Sequence, residues 1–460
     1  MKDSSELLRV KSIRVKGLFD LFDHTVDLKL DERVTVLHGP NGVGKTMLLR
    51  LTNALLDGRL SLFQRVPFRR FLLVLSDDRA VSVTLAPAKV KLEKSTRKGR
   101  RRQNHPPPVL HLELLQGENP VDRMEISGAQ DVVAMAEAIS MRMPWVQRYD
   151  EDLWYDERVF RELLTPEEVV ARYGDELPTS ARRSAQRSDP DWLKAVRDQV
   201  NVHFIAAQRL LRVNMEDSRR PGSRPRTLST VLDYASDLRA KISETMAGYG
   251  QKSQTLDQSF PQRLLASRGE ALPPDALKER METLDQHRNE LKALGLLVRL
   301  DSHPFDTAAI DTLDPGQQNV MTLYVKDTEQ KLSELDDLAR RARLLLDNVN
   351  RKFHRKQVRI DHELGLVAES ENGRALGLDA LSSGEQHELV LHYDLLFRVR
   401  PNTLVLIDEP ELSLHVAWQK RFLPDLLEIV ETAQFDVLMA THSPFIVGDR
   451  TDLMIGLDAD

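Results

Sequence analysis

The stretch Gly39-Pro40-Asn41-Gly42-Val43-Gly44-Lys45-Thr46 constrains the fold more than any other part of the chain. It fits G-x-x-x-x-G-K-[ST] and lies between a β-branched run, Val34 to Leu37, and an apolar-periodic segment from about Lys45 to Leu56. Strand, glycine-rich turn and helix in that order make an anion cradle. The glycines let the backbone wrap phosphates, and the N–H groups at the helix N-terminus bind them. Lys45 is placed to reach the β- and γ-phosphates and Thr46 to bind Mg²⁺, with Gly39, Asn41, Gly42 and Gly44 completing the nucleotide contacts.

A second segment answers the first. Thr403-Leu404-Val405-Leu406-Ile407-Asp408-Glu409 is an apolar run ending in two acids, as a strand buried on both faces requires. Asp408 at its carboxyl end is positioned to hold Mg²⁺, directly or through water, and Glu409 to polarise an attacking water. Between these two lies Leu381-Ser382-Ser383-Gly384-Glu385, opening a helix that runs to about Arg398. Ser382 and Gly384 at a helix N-terminus make a second anion site. The same residues also read as an ordinary serine N-cap with Glu385 in the first turn.

The order of segments gives an α/β domain interrupted by helix. Strands are expected at Ser12 to Val15, Val26 to Leu30, Phe71 to Leu75, Ala80 to Leu85 and Val109 to Leu115, and a short one at Val202 to Ala207. From about Asp131 to Asp198 the pattern turns helical and charged, broken by prolines. From Leu228 to Phe353 it is helical almost throughout, and β character returns at Val358 to Ile360 and Leu364 to Val367. Val325, Thr328, Leu332, Leu335, Ala339, Ala342, Leu346 and Val349 step in a heptad register. With Leu277, Met281, Leu284 and Leu291 as a second arm, they suggest a short antiparallel hairpin; a helical bundle fits the same periodicity. The division expected is residues 1–215 and 356–460 as two halves of one domain, with 216–355 inserted between them.

Composition narrows the chemistry. Cysteine is absent, which excludes disulfides, thiolate metal sites and a cysteine nucleophile. Lys plus Arg number 65 against 71 Asp plus Glu, a net charge of -6, so any nucleic-acid contact must come from local patches. Lys94 to Arg102 and Arg219 to Arg226 are such basic runs, and both also read as solvated loops. No secretory h-region or membrane-length apolar run is seen, so a cytoplasmic protein without membrane contact is expected.

With these motifs in order, the sequence resembles the ABC-type ATPase heads of the structural-maintenance-of-chromosomes, RecF and overcoming-lysogenisation-defect group. Leu381 to Glu385 resembles that group's signature motif, and Gln208 its metal-binding Q-loop glutamine. Glu411-Leu412-Ser413-Leu414-His415 matches its D-loop and Ala440-Thr441-His442-Ser443-Pro444 its switch-histidine segment. The resemblance implies ATP and Mg²⁺ as ligands, with Thr46, Gln208 and Asp408 at the metal and Lys45, Glu409 and His442 in catalysis. It also implies a head-to-head dimer or higher homo-oligomer, in which Ser382 and Gly384 reach the nucleotide of the neighbouring subunit. The insertion of about 140 residues is short for the group's long-armed members, and no Toprim or HNH nuclease domain is expected after His442. The chain is most similar in style to stand-alone antiphage-defence ATPases of the PARIS (AriA) and Septu or retron (PtuA) kinds. For those, the resemblance implies a phage protein as trigger and a Toprim or HNH effector nuclease as partner. A RecF-like DNA clamp in repair, with a DNA contact, and a scaffold whose ATPase only controls assembly are the competing readings.

Overall fold

The computed structural model describes residues 8–86, 109–126, 132–150 except 144, 153–156, 163–173 except 165, 190–205, 211–213, 227–266, 271–297, and 307–457 except 413. Gln208, Ser413, both basic runs and the turn expected at Asp301 to Phe305 lie outside the described residues. The chain divides into two compact units, Met1–Leu228 with Val399–Asp460, and Ser229–Arg398.

The first unit contains β1 (Val10–Leu18), β2 (Phe22–Asp27), β3 (Val34–His38), α1 (Lys45–Leu56), β4 (Arg70–Leu75), β5 (Arg79–Ala86), β6 (Val109–Gln116), β7 (Asn119–Ile126), β8 (Val202–Ile205), β9 (Leu404–Asp408), α2 (Val416–Ala433), β10 (Asp436–Ala440) and β11 (Met454–Gly456). Strands β8-β9-β10-β3-β11 form one sheet in that order, with every pair parallel. Strands β2-β1-β4-β5-β6-β7 form a second sheet, antiparallel throughout. All residues of β9 and β10 are buried, as their unbroken apolar runs demand. One hydrophobic core draws Ile13, Phe71 and Leu73 from the antiparallel sheet, Leu406 and Leu438 from the parallel one, and Leu48 and Leu51 from α1. Each such side chain contributes about 1.5–3 kcal/mol on full burial.

The parallel sheet joins the two ends of the chain: β3 is hydrogen-bonded on one side to β10 and on the other to β11. Two strands escape the sequence pattern. β7 is an exposed edge strand carrying Pro120 and alternating charges, and β11 is a three-residue edge. The expectation of helix across 131–198 is corrected in part. Val146–Asp150, Leu153–Asp156 and Leu163–Leu164 form a small antiparallel sheet around the fully buried Trp154, between the helices Val132–Arg142 and Pro166–Tyr173. These strands are short, and too few of their residues are apolar to show a period of two.

The second unit holds the helices Thr230–Ala266, Pro274–Ala293, Pro315–Leu332 and Asp336–Asn350. A three-stranded antiparallel sheet comes next (Lys356–Asp361, Gly365–Ser370, Ala375–Leu376), and then the helix Ser383–Tyr393 with a π turn at Asp394–Arg398. The unit boundary thus falls at 228/229 and 398/399, and residues 356–398 pack with the helices rather than with β9 and β10. The expected heptad seam is buried from Val325 to Ala342, but a 3-10 turn at Ser333–Leu335 interrupts it. Beyond that turn the buried position is Leu345 rather than Leu346. A 3-10 turn has three residues per turn rather than 3.6, so it advances the buried face toward earlier residues. The antiparallel partner of Pro315–Leu332 is the long helix Thr230–Ala266, as the ordered pairs Arg263–Asp327, Asp257–Lys331 and Lys252–Glu334 record. Helix Pro274–Ala293 packs on Pro315–Leu332 as well, which makes a bundle. Tyr234 and Tyr393 stack and donate reciprocally, to Asp394 (2.8 Å) and Asp237 (2.6 Å), fixing the long helix to the end of Ser383–Tyr393.

Candidate functional site

Parallel pairing brings the carboxyl ends of β3, β9 and β10 to one sheet edge: Asp408 is level with Ala440, and Ala440 with Leu37. The segments leaving these three strands therefore converge. After β3 comes the glycine-rich loop, after β9 come Glu409 and Glu411, and after β10 come Thr441 and His442. A cavity of about 550 Å³ lies there, lined among others by Gly42, Gly44, Lys45, Thr46, Glu409 and His442, with Phe19 and Asn41 at its side. That volume is ordinary for a cofactor-sized ligand.

The loop holds its shape through left-handed backbone at Gly42 (φ 87°) and Gly44 (φ 97°), the latter the N-cap of α1. His24, buried on β2 and stacked on Phe22, hydrogen-bonds through Nε2 to the Val43 carbonyl oxygen at 2.6 Å. A carbonyl acceptor requires that nitrogen to be the donor. Because the peptide unit is planar and trans, fixing the Val43 carbonyl also points the Gly44 N–H the opposite way.

Lys45 is buried, and its Nζ donates to the Gly39 and Pro40 carbonyls at 2.8 and 2.9 Å, curled back over the loop. Burial lowers its pKa, while the carboxylates of Glu409, Glu411 and Asp408 oppose that shift. The Thr46 hydroxyl donates to Asp408 Oδ1 at 2.9 Å. Burial raises the pKa of Asp408, which the Thr46 hydrogen bond offsets in part and the neighbouring Glu409 reinforces. Two hard oxygen donors, with two further carboxylates nearby, suit Mg²⁺. Glu409 adopts a left-handed backbone (φ 43°), held by its N–H donating to the Ala440 carbonyl at 2.9 Å. Such a conformation costs on the order of 1–3 kcal/mol and concentrates at functional sites. His442 lies 3.3 Å from Lys45 Nζ through Nδ1 and 3.8 Å from Glu409 Oε1 through Nε2.

A family profile described as "AAA domain, putative AbiEii toxin, Type IV TA system" matches residues 251–448, a span that includes β9, β10 and His442 and lies beyond the glycine-rich loop. Over that span the chain is similar to an AAA-domain family, and its parallel sheet carries the glycine-rich loop between β3 and α1, as P-loop nucleotide-binding folds do. No curated protein sequence matches the chain. Among solved structures, the Smc head domain of Pyrococcus furiosus with an extended coiled coil, bound to the C-terminal domain of ScpA, is 12% identical, with 98% of this chain and 93% of that one covered and a TM-score of 0.33. The SMC head domain of Thermotoga maritima is 10% identical, with 97% and 94% covered and the same TM-score of 0.33.

At this sheet edge the structure brings together Gly39, Gly42, Gly44, Lys45, Thr46, Asp408, Glu409 and His442, with Asn41 on the cavity wall. Ser382 and Gly384 belong to the other compact unit. There Ser382 is the N-cap of Ser383–Tyr393 in a capping box: its Oγ accepts from the Glu385 N–H (3.4 Å) and its own N–H donates to Glu385 Oε2 (2.7 Å). His415 likewise caps α2. Two residues at the site have roles that the sequence did not give. Glu411 stands in the D-loop segment with no role assigned, and His24 is a lone histidine on a strand. Their partners are mostly backbone groups, with the Thr441 hydroxyl on Glu411 the exception, and no spacing of residue types reveals them.

Proposed function

We propose that the chain binds and hydrolyses MgATP and acts as the ATPase subunit of a bacterial antiphage defence system in the cytoplasm. The observation that carries the ATPase part is the convergence of Lys45, the Thr46–Asp408 pair, Glu409 and His442 on one cavity. In this reading the loop N–H groups and Lys45 hold the β- and γ-phosphates, Lys45 leaving the Gly39 and Pro40 carbonyls to do so. Thr46 and Asp408, with Gln208, hold Mg²⁺, which neutralises charge on the phosphate oxygens. Glu409 orients and polarises the attacking water, and His442 stabilises charge on the γ-phosphate.

Ser382 and Gly384 act in trans, on the nucleotide of a second copy, so that ATP closes a homodimer and hydrolysis opens it. The output is mechanical: a separate effector nuclease of Toprim or HNH type is held or released when a phage protein is sensed. The description of the matching family, a putative toxin of a toxin–antitoxin system, supports a two-component system over DNA repair.

The shared site is tested by mixing Lys45→Ala protein with Ser382→Arg protein, each inactive alone. Recovery of part of the turnover on mixing is expected, and full turnover by Ser382→Arg alone overturns the shared site. The defence role is tested by co-expression with the products of neighbouring genes. Toxicity that needs both partners and vanishes with Lys45→Ala is expected; loss of DNA-damage survival without any such toxicity favours the repair reading.

A further inference from the structure

Glu411 makes more hydrogen bonds than any role in ATP chemistry requires of it. Its Oε1 accepts from the backbone N–H of His442 at 2.6 Å and of Ser443 at 3.2 Å, and its Oε2 accepts from the Thr441 hydroxyl at 2.9 Å. One carboxylate thus binds three consecutive residues of the segment that leaves β10. Ser443 N–H also donates to Thr441 Oγ1 at 3.0 Å, and the Ser443 hydroxyl to Gln419 Oε1 on α2 at 2.6 Å, so the segment is gripped from both sides. Without the carboxylate the Ser443 N–H keeps Thr441 Oγ1, but nothing else among the described residues holds the His442 backbone at its N–H.

We propose that Glu411 is a positioning residue for His442: a carboxylate clamp that sets the switch histidine against Lys45 and Glu409, and not a ligand of metal or a base for water. This rests on the ATPase reading of the site and deepens it. The clamp accounts for the place of the His442 ring nitrogens, 3.3 Å from Lys45 Nζ and 3.8 Å from Glu409 Oε1. It also links the loop after β9 to the loop after β10, so the two acidic and histidine arms of the site move as one body.

Geometry separates a clamp from a charge. In Glu411→Gln the amide oxygen still accepts from both backbone N–H groups, and the NH₂ donates to Thr441 Oγ1, a hydroxyl oxygen able to accept. In Glu411→Ala the clamp is gone. A reacting group displaced by about 1 Å costs about 100-fold in rate, so Glu411→Ala is expected to lose about that much turnover. Its affinity for MgATP should hold or tighten, because a carboxylate facing the phosphates has been removed. Glu411→Gln should recover turnover to within about tenfold of wild type.

The deciding comparison is a double-mutant cycle with His442→Ala. If Glu411 works only through His442, Glu411→Ala costs almost nothing further in the His442→Ala background. Additive losses, or Glu411→Gln as inactive as Glu411→Ala, overturn the proposal. A readout independent of hydrolysis distinguishes failure of the clamp from failure of the ATPase reading: the ring NMR signals of His442, assigned by their loss in His442→Ala. They should shift and broaden in Glu411→Ala and return in Glu411→Gln, whether or not ATP is turned over. Unchanged ring signals in Glu411→Ala overturn the clamp.

Discussion

Replacing Gly44 by alanine tests the loop geometry quantitatively, with Gly42→Ala as its internal reference. Both glycines are left-handed, at φ 97° and 87°, so both substitutions carry a backbone cost of about 1–2 kcal/mol. Their surroundings differ. A Cβ on Gly42 meets nothing within 4 Å, whereas one on Gly44 falls 2.4 Å from Leu18 Cδ2 and 3.5 Å from Phe19 Cε2. Leu18 is fully buried in the core shared by both sheets and cannot withdraw without disturbing it. Overpacking of that kind adds about 1–3 kcal/mol, so Gly44→Ala should cost about 2–5 kcal/mol against about 1–2 for Gly42→Ala. The four tryptophans, Trp145, Trp154, Trp192 and Trp418, all lie in the first compact unit, so intrinsic fluorescence during urea unfolding follows that unit alone. Binding of a fluorescent ATP analogue, measured in parallel, detects strain relieved by opening the loop instead. If Gly44→Ala matches Gly42→Ala in both unfolding midpoint and nucleotide affinity, the inferred contact with Leu18 is wrong.

Further outcomes are expected at the same cavity. Lys45→Ala removes the ammonium that faces the phosphates. With hydrogen bonds to charged groups contributing about 1.5–3 kcal/mol each, ATP affinity by calorimetry should fall by at least about tenfold, while Glu409→Gln should bind normally and lose turnover. Because burial raises the pKa of Asp408, protons compete with Mg²⁺ there at a higher pH than at an ordinary carboxylate; MgATP affinity should weaken as pH falls toward that raised value. The stability sign is opposite: the ionised form costs stability above the unfolded-state pKa of the carboxylate, so Asp408→Asn should raise the melting temperature without nucleotide while abolishing the Mg²⁺ dependence of binding. His24→Phe keeps the ring stack on Phe22 but leaves the Val43 carbonyl without its donor, and should weaken MgATP binding by about tenfold, with His24→Gln less affected.

The meeting of the motif residues at one sheet edge was legible because they stand at fixed places along strands and helices. Gly39 to Thr46 comes after a strand buried along Val34 to Leu37, and Asp408 and His442 stand at the ends of two more buried strands, so parallel pairing alone brings them together. The features that stayed hidden depend on main-chain partners or on packing between distant segments. Glu411 and His24 act on backbone groups, which leave no pattern in side-chain identity. The long helix Thr230–Ala266 lies within the stretch expected to be helical, but its pairing with Pro315–Leu332 was hidden: its buried apolar residues fall mainly in its first turns with Leu256 further on, and the pairs Arg263–Asp327 and Asp257–Lys331 leave no apolar period. The assignment of 356–398 to the second unit was equally out of reach, since strands such as Lys356–Asp361 alternate the same way whichever sheet they join.

The place of β3 in its sheet has a consequence for how the protein comes into being. The antiparallel sheet is built wholly from residues 10–126 and can pair as soon as they emerge from the ribosome. β3 cannot: both of its neighbours, β10 and β11, belong to residues 436–456. At about 5–20 residues per second, a nascent chain carries that strand with two open edges for about 20–80 s before it is sealed. Glu409, Glu411 and His442 are synthesised in the same late interval. The glycine-rich loop therefore gains its facing acids and histidine only once residues 404–456 have been made, and a product interrupted before them has the antiparallel strands without that cavity.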